Sequence, residues 1–251
     1  MSKLLPTKEG FKKFLKSFNT YQRYYLAAVL VMTAAFLVFL PEYTFDEELL
    51  MSTFAPLLIV ITVIDTLANP LCEVLIAKQS KINFVVDFFF IEIPELIICL
   101  IMGWYAVALT VVLFWIPVDI VSYIRWNKHP DQDDDNLTQV KRLSAKHTVL
   151  IVIAIAVFAA VMGSLLQLLP GATDSYLDAL AAGFGIANGI LLLLRYSEQW
   201  YAWLITVALY IILDIMSGAY VLLVSEFAML INTIYGIVKW HRYTKEHPDV
   251  K

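Results

Sequence analysis

Charged side chains are scarce in this sequence. Only 16% of its 251 residues are Asp, Glu, Lys or Arg, and 60% are hydrophobic. A soluble domain has about 25% charged and roughly 45–50% apolar residues. A soluble fold of this length could not bury so much apolar surface, so the solvent for most of the chain must be lipid. The composition therefore predicts an integral membrane protein without a soluble domain.

Cysteine and histidine are also rare, and neither indicates a reactive or metal site. Cys72 and Cys99 lie inside long apolar runs, which is typical of small packed side chains and gives no support to a disulfide framework. The four histidines lie in or beside polar connections, without the spacing of metal ligands. The glycine-containing run 183–189 lies inside an apolar span, where it favours close helix packing over phosphate binding. We therefore expect no enzyme activity, no metal, no cofactor and no nucleic-acid partner.

The sequence does contain a series of apolar runs about 20 residues long, the length of a helix that crosses a bilayer. The predicted fold is all-α, and most connections are short enough to make consecutive helices antiparallel neighbours. The eight predicted transmembrane helices cover residues 22–41, 54–77, 82–102, 105–125, 147–169, 177–195, 199–217 and 219–239. The basic stretch before the first span, with Phe11, Phe14 and Phe18, is expected to lie along the membrane surface.

The basic residues indicate the orientation of these spans. With eight spans, all 18 lysines and arginines fall on one side of the membrane, which is the cytoplasmic side by the positive-inside rule. The opposite connections carry acids such as Glu42 and Asp174. The sequence therefore predicts that both termini are cytoplasmic. The one long connection holds Asp131 and the acidic run 133–135, a pattern typical of a solvated linker, with a regulatory contact as the alternative.

An internal repeat relates the three spans before the fifth to the three after it. The matching segments are Leu67-Ala68-Asn69 with Ile186-Ala187-Asn188, Gly103-Trp104-Tyr105 with Gly218-Ala219-Tyr220, and Arg125-Trp126 with Lys239-Trp240. Because one span intervenes, the two triplets share one orientation and form parallel repeats. Transporters of the SWEET type have this 3+1+3 plan, with the substrate held near the midplane between the halves. The predicted divisions are 1–50 (surface segment and extra first helix), 51–130 (first repeat), 131–175 (cytoplasmic loop and linker helix) and 176–251 (second repeat and cytoplasmic tail).

Acidic side chains inside the spans are the sharpest functional signal, because each costs about 2.5–3.5 kcal/mol at a helix centre. No basic residue lies deep in a span to neutralise them. As a group they predict a water-accessible cavity of negative potential, suited to a cation or a hydroxyl-rich solute. These acids are Asp65, Glu73, Asp87, Glu92, Glu95, Asp119, Asp214 and Glu226.

Aromatic side chains point to the same kind of ligand. Trp200, Trp203 and Tyr210 lie near one face of the seventh span, and Trp115 lies mid-membrane in the fourth. Trp200 is at the inner interface, where a tryptophan also serves as a membrane anchor. The deeper rings suit stacking on a planar ring or a cation.

The C-terminal triplet resembles the PnuC (Pnu-type) vitamin transporters. The resemblance covers roughly residues 55–130 and 176–243. Its motifs are Gln199-Trp200, Trp203, Gly218 with Tyr220, Gly236 with Trp240, and the polar turn Ala77-Lys78-Gln79-Ser80 leading into Asn83. The family commonly has Asn or Asp four positions after the second tryptophan of Trp-x-x-Trp, whereas this chain has Val207.

The resemblance implies a SWEET-related homotrimer in a bacterial inner membrane. It also implies uptake of nicotinamide riboside by facilitated diffusion, followed by trapping through cytoplasmic phosphorylation. We therefore expect a passive uniporter for this vitamin. The predicted substrate-binding residues are Trp203, Tyr210, Trp115, Asn69, Asn188 and Trp200, followed by Asp119, Glu92 and Glu226. The alternatives are a family member that carries thiamine or riboflavin, and a proton-coupled transporter in which the acids relay protons.

Overall fold

A computed structural model describes residues 12, 14–39, 53, 55–102, 110–131, 137–168, 174–217 and 222–250. Within these residues the regular structure is helical and contains no strand, although three isolated bridges join loop residues. The all-α prediction is therefore confirmed. The predicted repeat segments 103–105 and 218–220 and the acidic run 133–135 lie outside the described residues, as do the side chains of Asp65, Cys99 and Asp214.

Each predicted span overlaps at least one described helix. The helices are α1 (Thr20–Phe39), α2 (Ala55–Ala77), α3 (Asn83–Asp87), α4 (Ile93–Met102), α5 (Ile116–Asn127), α6 (Ala145–Leu166), α7 (Ser175–Leu193), α8 (Gln199–Ser217) and α9 (Leu222–Glu246). A π-helical turn, Phe88–Glu92, joins α3 to α4, and a second, Val111–Trp115, leads into α5. Judged by length and apolar composition alone, two helices among the described residues, α6 and α7, could each cross a membrane.

The helix α1 packs against α2 and, through its tyrosines, against α9. The ring of Tyr21 stacks on that of Tyr235 with centroids 4.2 Å apart. The Tyr25 hydroxyl donates to the carbonyl oxygen of Ala228 at 3.2 Å. Just before α1, Phe18 is buried, and the Lys78 ammonium lies 5.0 Å from the centre of its ring. The end of the basic stretch that precedes α1 therefore packs into the helix bundle.

The turns after α2 and α7 have the same geometry. Gln79 and Arg195 have φ of 64° and 66°, the left-handed conformation that often ends a helix. Glycine usually takes this position, because other residues pay a steric cost there. Here the two side chains offset that cost with hydrogen bonds. The Gln79 amide donates to the carbonyl oxygen of Thr138, and the Arg195 guanidinium donates to that of Gln139, both at 3.2 Å.

The segment 137–141 of the long connection lies between these two turns and bonds to both. The Thr138 N–H donates to the Gln79 carbonyl, and the Lys141 N–H donates to the Arg195 carbonyl, both at 3.0 Å. Thr138 is fully buried, and the buried Asp131 accepts a 2.5 Å hydrogen bond from the Tyr243 hydroxyl. The expectation of a solvated linker is therefore wrong for these residues, because the backbone of the connection supplies partners to both helix ends.

Two tryptophans join the halves of the predicted repeat in a reciprocal way. Trp126, at the end of α5, donates its indole N–H to the Leu192 carbonyl in α7 at 3.0 Å. Trp240, in α9, donates to the Ala77 carbonyl at the end of α2 at 3.2 Å. Both indoles are fully buried. Each tryptophan thus donates to a carbonyl near the C-terminal end of the first helix in the other half, where the last carbonyls of a helix lack intrahelical partners; that of Leu192 also accepts from the Arg195 N–H at 2.9 Å.

Two contacts also indicate the register of the predicted repeat. The Cys72 thiol lies 3.7 Å from the carbonyl oxygen of Asn83, the first residue of α3. The Asn188 amide donates at 3.1 Å to the carbonyl of Gln199, the first residue of α8. The counterpart of Asn188 is therefore Cys72, and the pairing with Asn69 is wrong by three residues. Similar short segments could not fix the register, because residues three apart share one helix face.

Candidate functional site

Each of the two π-helical turns directly precedes a proline. Phe88–Glu92 ends two residues before Pro94, and Val111–Trp115 ends two residues before Pro117. Proline lacks an N–H, and its ring clashes with the carbonyl four residues earlier, so a widened turn accommodates it without breaking the helix. Such turns occur frequently at functional sites. Two predicted site residues, Glu92 and Trp115, occupy the last positions of these turns.

Three carboxyl groups converge where these widened helices approach one another. Asp87, Glu92 and Asp119, here called the acid trio, each offer an oxygen, and these oxygens lie within 4.8 Å of one another. Glu92 is 5% and Asp119 4% exposed. The Asp87 and Asp119 carboxyl groups are therefore close enough to share a proton, which would reduce the charge of the trio. The spacing would also suit a cation, which neutralises the same charge.

A second polar group joins α2, α8 and α9. The buried Glu73 carboxylate accepts a 3.1 Å hydrogen bond from the Asn232 amide. The indole of Trp203 lies beside the same carboxylate, and Glu226, another predicted site residue, is close enough to interact with it electrostatically. Asp87 of the acid trio is also within electrostatic range of Glu73. The buried acids therefore form one connected polar interior.

Asn232 was missed by the sequence analysis, although a signal was present. Its neighbour Thr233 lies seven residues before Trp240, just as Asp119 lies seven residues before Trp126. Counting back from the two tryptophans would have marked Asn232 and Thr233 as polar residues at the depth of the acid trio. Both are fully buried in α9.

The predicted aromatic residues occupy two kinds of environment. Trp203 and Trp115 are half-buried. The Trp115 ring lies 4.8 Å from that of Phe114, edge to face, and borders Gly189 of α7. Trp200 is buried instead in the packing core, against Gly236 and the edge of the Trp240 ring at 5.7 Å. Its position favours a structural role. Tyr210 is half-buried farther along α8.

The two predicted asparagines also differ. The Asn188 amide nitrogen donates to the Gln199 side-chain oxygen at 2.7 Å and to its backbone carbonyl, so it ties α7 to α8. Asn69 is half-buried in α2, one helical turn before Glu73 and therefore on the same face. Of the two amides, that of Asn69 lies on the helix face that carries the buried acids.

This arrangement suits recognition of an organic cation. Carboxylates accept hydrogen bonds from hydroxyl groups and attract positive charge, more strongly in a poorly hydrated interior than in water. The indole of Trp203 beside Glu73 offers a face for a cationic ring. Trp115 offers a second aromatic surface on the opposite half.

The sequence profile of the nicotinamide mononucleotide transporter family matches residues 59–242. The nicotinamide riboside transporter PnuC of Neisseria mucosa is 28% identical over 144 residues, covering 54% of this chain and 54% of that protein. The protein of the same name from Haemophilus influenzae is 28% identical over 137 residues, covering 54% of this chain and 59% of that one. The matches thus span little more than half the length of these curated relatives.

The fold is similar to one already solved by crystallography, that of the vitamin B3 transporter PnuC. The TM-score is 0.72 at 23% identity, and the match covers 96% of this chain and 99% of that chain. The helical arrangement therefore corresponds over nearly the whole length.

Proposed function

The chain belongs to the nicotinamide mononucleotide transporter family, and we propose that it carries nicotinamide riboside across a bacterial inner membrane. Both curated relatives bear the name of transporters for this compound. The observation that carries the proposal is the polar interior between the halves, where Trp203 lies beside Glu73 and the acid trio is adjacent. Nicotinamide riboside combines a cationic aromatic ring with ribose hydroxyls, which these groups are suited to bind.

The proposed architecture has eight transmembrane helices in a 3+1+3 arrangement of parallel repeats, with both termini cytoplasmic. Support comes from the matching turns at Gln79 and Arg195 and from the reciprocal hydrogen bonds of Trp126 and Trp240. Pairing of α2 with α9 and of α5 with α7 places the first helix of each half against the last helix of the other. The one-sided distribution of basic residues supports the orientation.

In the proposed mechanism the substrate binds between the halves and crosses as they rearrange around it. The nicotinamide ring stacks on Trp203, and its charge faces Glu73. The ribose hydroxyls donate to carboxylates of the acid trio, with Trp115 closing the opposite side. Transport is facilitated diffusion, and phosphorylation in the cytoplasm then retains the product. We further propose that the protein functions as a homotrimer.

The direct test is uptake of labelled nicotinamide riboside into liposomes that contain the purified chain. Saturable uptake should stop when the internal and external concentrations are equal, because no kinase is present to trap the substrate. Excess unlabelled nicotinamide riboside should compete, whereas thiamine and riboflavin should not. If thiamine or riboflavin were the one compound that competed, that vitamin would be assigned as the substrate instead. Absence of uptake by correctly folded protein would contradict the proposal.

Proton-coupled transport is the second candidate, and the close approach of the Asp87 and Asp119 carboxyl groups favours it. Carboxyl groups inside membrane spans serve as proton relays in transporters, and two carboxyl groups this close can exchange a proton. This candidate predicts that an inward proton gradient drives nicotinamide riboside above its equilibrium concentration. Facilitated diffusion predicts no such accumulation.

Asp119→Asn separates the two mechanisms. Asparagine keeps the shape of the side chain and can donate a hydrogen bond to Asp87, but it removes the titrating group. For a uniporter, we expect the KM to rise about tenfold, since one charged acceptor for the ribose is lost, with the same final internal concentration. Initial rates and end points would be measured with and without a proton gradient.

Asp178→Asn, an exposed site on α7, is the matched control and should behave as the unmodified protein. Gradient-driven accumulation that disappears only in the Asp119 variant would establish proton coupling and overturn the uniporter proposal.

A further inference from the structure

A cavity of about 580 Å³, lined by none of the buried acids, lies where three segments of the chain meet. One is the end of the long connection, the second is the turn after α7, and the third is the C-terminal end of α9 with the residues that follow it. Cations and rings dominate its lining: Lys141, Arg142, His147, Tyr196, Lys245 and His247. Its volume falls in the range of about 300–1,000 Å³ typical of small-molecule sites.

The charge of this cavity is of one sign. Three of its described lining residues, Lys141, Arg142 and Lys245, are basic, and none is Asp or Glu. Arg142 has an acidic neighbour, Glu198, but the closest atoms are 4.0 Å apart and the arginine side chain is 57% exposed. Such a pair is weak, so the guanidinium can bind an anion at the rim.

Part of the site is held in place by the fold. The Lys141 N–H donates to the Arg195 carbonyl, and its own carbonyl accepts from the Ser197 N–H at 2.9 Å. Its ammonium lies 4.4 Å from the centre of the Tyr196 ring. Ser144 caps α6 at the cavity wall, so the positive end of that helix dipole adds to the field. A fixed cation and a helix N-terminus together are suited to a phosphate group.

We propose that this cavity binds a free nucleotide through its phosphate group. Arginine binds phosphate in a bidentate manner, and a phosphate monoester carries about −1.5 to −2 charges at pH 7. Phosphate alone would leave most of the volume empty, whereas the half-buried Tyr196 ring provides a surface for a base. The proposed topology places the cavity on the cytoplasmic side, where nucleotides occur.

A lipid headgroup would offer the same phosphate chemistry as a free nucleotide. The exposed Val149 and Leu150 of α6 follow the cavity residue His147, so an acyl chain attached to a headgroup has an apolar path there. The free nucleotide is favoured because the ring of Tyr196 offers a surface for a base, and because part of the lining, such as Pro248, lies beyond the end of α9.

Calorimetric titration of the full chain in detergent tests the proposal with nicotinamide mononucleotide, adenosine monophosphate and inorganic phosphate as probes. We expect both nucleotides to bind at least about tenfold more tightly than inorganic phosphate. The variant Arg142→Gln/Lys245→Gln should weaken nucleotide binding by at least about tenfold, because it removes two charge-assisted contacts. The control Lys128→Gln/Lys146→Gln has the same net charge change at exposed positions outside the lining, and should change binding less than about twofold.

Equal weakening by the two double variants would overturn the proposal, since it would indicate only general electrostatic attraction. Absence of nucleotide binding to the unmodified chain, or equally tight binding of inorganic phosphate, would also overturn it. A titration in phosphatidylcholine nanodiscs with and without phosphatidylglycerol tests whether anionic lipid headgroups occupy the cavity in place of a nucleotide. Loss of nucleotide binding only when the anionic lipid is present would assign the cavity to headgroups. Nicotinamide riboside binding, measured on the same samples, reports on the transport site separately.

Discussion

Replacing Trp203 with alanine is expected to weaken nicotinamide riboside binding by roughly 5- to 150-fold. The estimate follows from about 1–3 kcal/mol for stacking between a base and an aromatic side chain. The indole lies beside the Glu73 carboxylate, so its loss removes both a stacking surface and part of the shield around that charge. Calorimetry on the purified chain and uptake into liposomes would measure the effect. A higher KM with a nearly unchanged maximal rate is expected if the ring mainly binds the substrate.

Tyr201→Ala is the matched control for Trp203→Ala. Tyr201 is an exposed aromatic residue on the same helix, and its removal should leave affinity within about twofold. Trp203→Phe should retain most of the affinity, because a phenyl ring still offers a face to a cation. Unchanged affinity of Trp203→Ala, in a variant with normal thermal stability, would remove this residue from the proposed binding site.

Replacing Gly236 with alanine is expected to lower the melting temperature of the purified protein by roughly 2–12 °C. A Cβ at this position would lie 2.5 Å from two atoms of the Trp200 indole, far inside the usual 3.5–4.0 Å carbon contact. The indole is fully buried against the Trp240 ring and has no room to move. Overpacking of this kind costs about 1–3 kcal/mol, and each kcal/mol corresponds to about 2–4 °C for a chain of this size.

Gly185→Ala is the control, because the nearest atom to its added Cβ is 4.0 Å away. There alanine should raise stability by about 0.5–1 kcal/mol through better helix propensity. A loss of stability at Gly236 and a gain at Gly185 would show that the contact with Trp200 decides the effect of the added methyl group. Combining Gly236→Ala with Trp200→Phe should cost less than the sum of the single changes. Full additivity would mean that the two residues are not in contact.

Some of the candidate site could be predicted from sequence because burying a charge in lipid has a large and local cost. Glu92, Asp119 and Glu226 stood out as acids in apolar spans, and the structure places all three in the buried interior. Trp203 and Trp115 were found in the same way, as large aromatic residues at depth. A proline in a span was a visible signal too, but the spacing could not tell a kink from the π-helical turn that precedes Pro94.

Other features depend on partners that are distant in the chain. Asn232 bonds to Glu73 across 159 residues, and its sequence neighbours give no sign of that carboxylate. Asn188 was selected as a ligand residue, yet its amide nitrogen is bound to Gln199. The long connection looked like a solvated linker because it carries a run of acids, whereas Asp131 is buried and accepts a hydrogen bond from the Tyr243 hydroxyl.

The sequence by itself determined that this is a helical membrane protein, since apolar length and the scarcity of charge are properties of contiguous residues. It also determined the family, through motifs such as the tryptophans at 200, 203 and 240. Only the tertiary structure decided which polar groups meet, because the energy of a buried hydrogen bond depends on where its partner lies in space. For that reason the exchange of contacts between Trp126 and Leu192 and between Trp240 and Ala77 became visible only after the helices were packed.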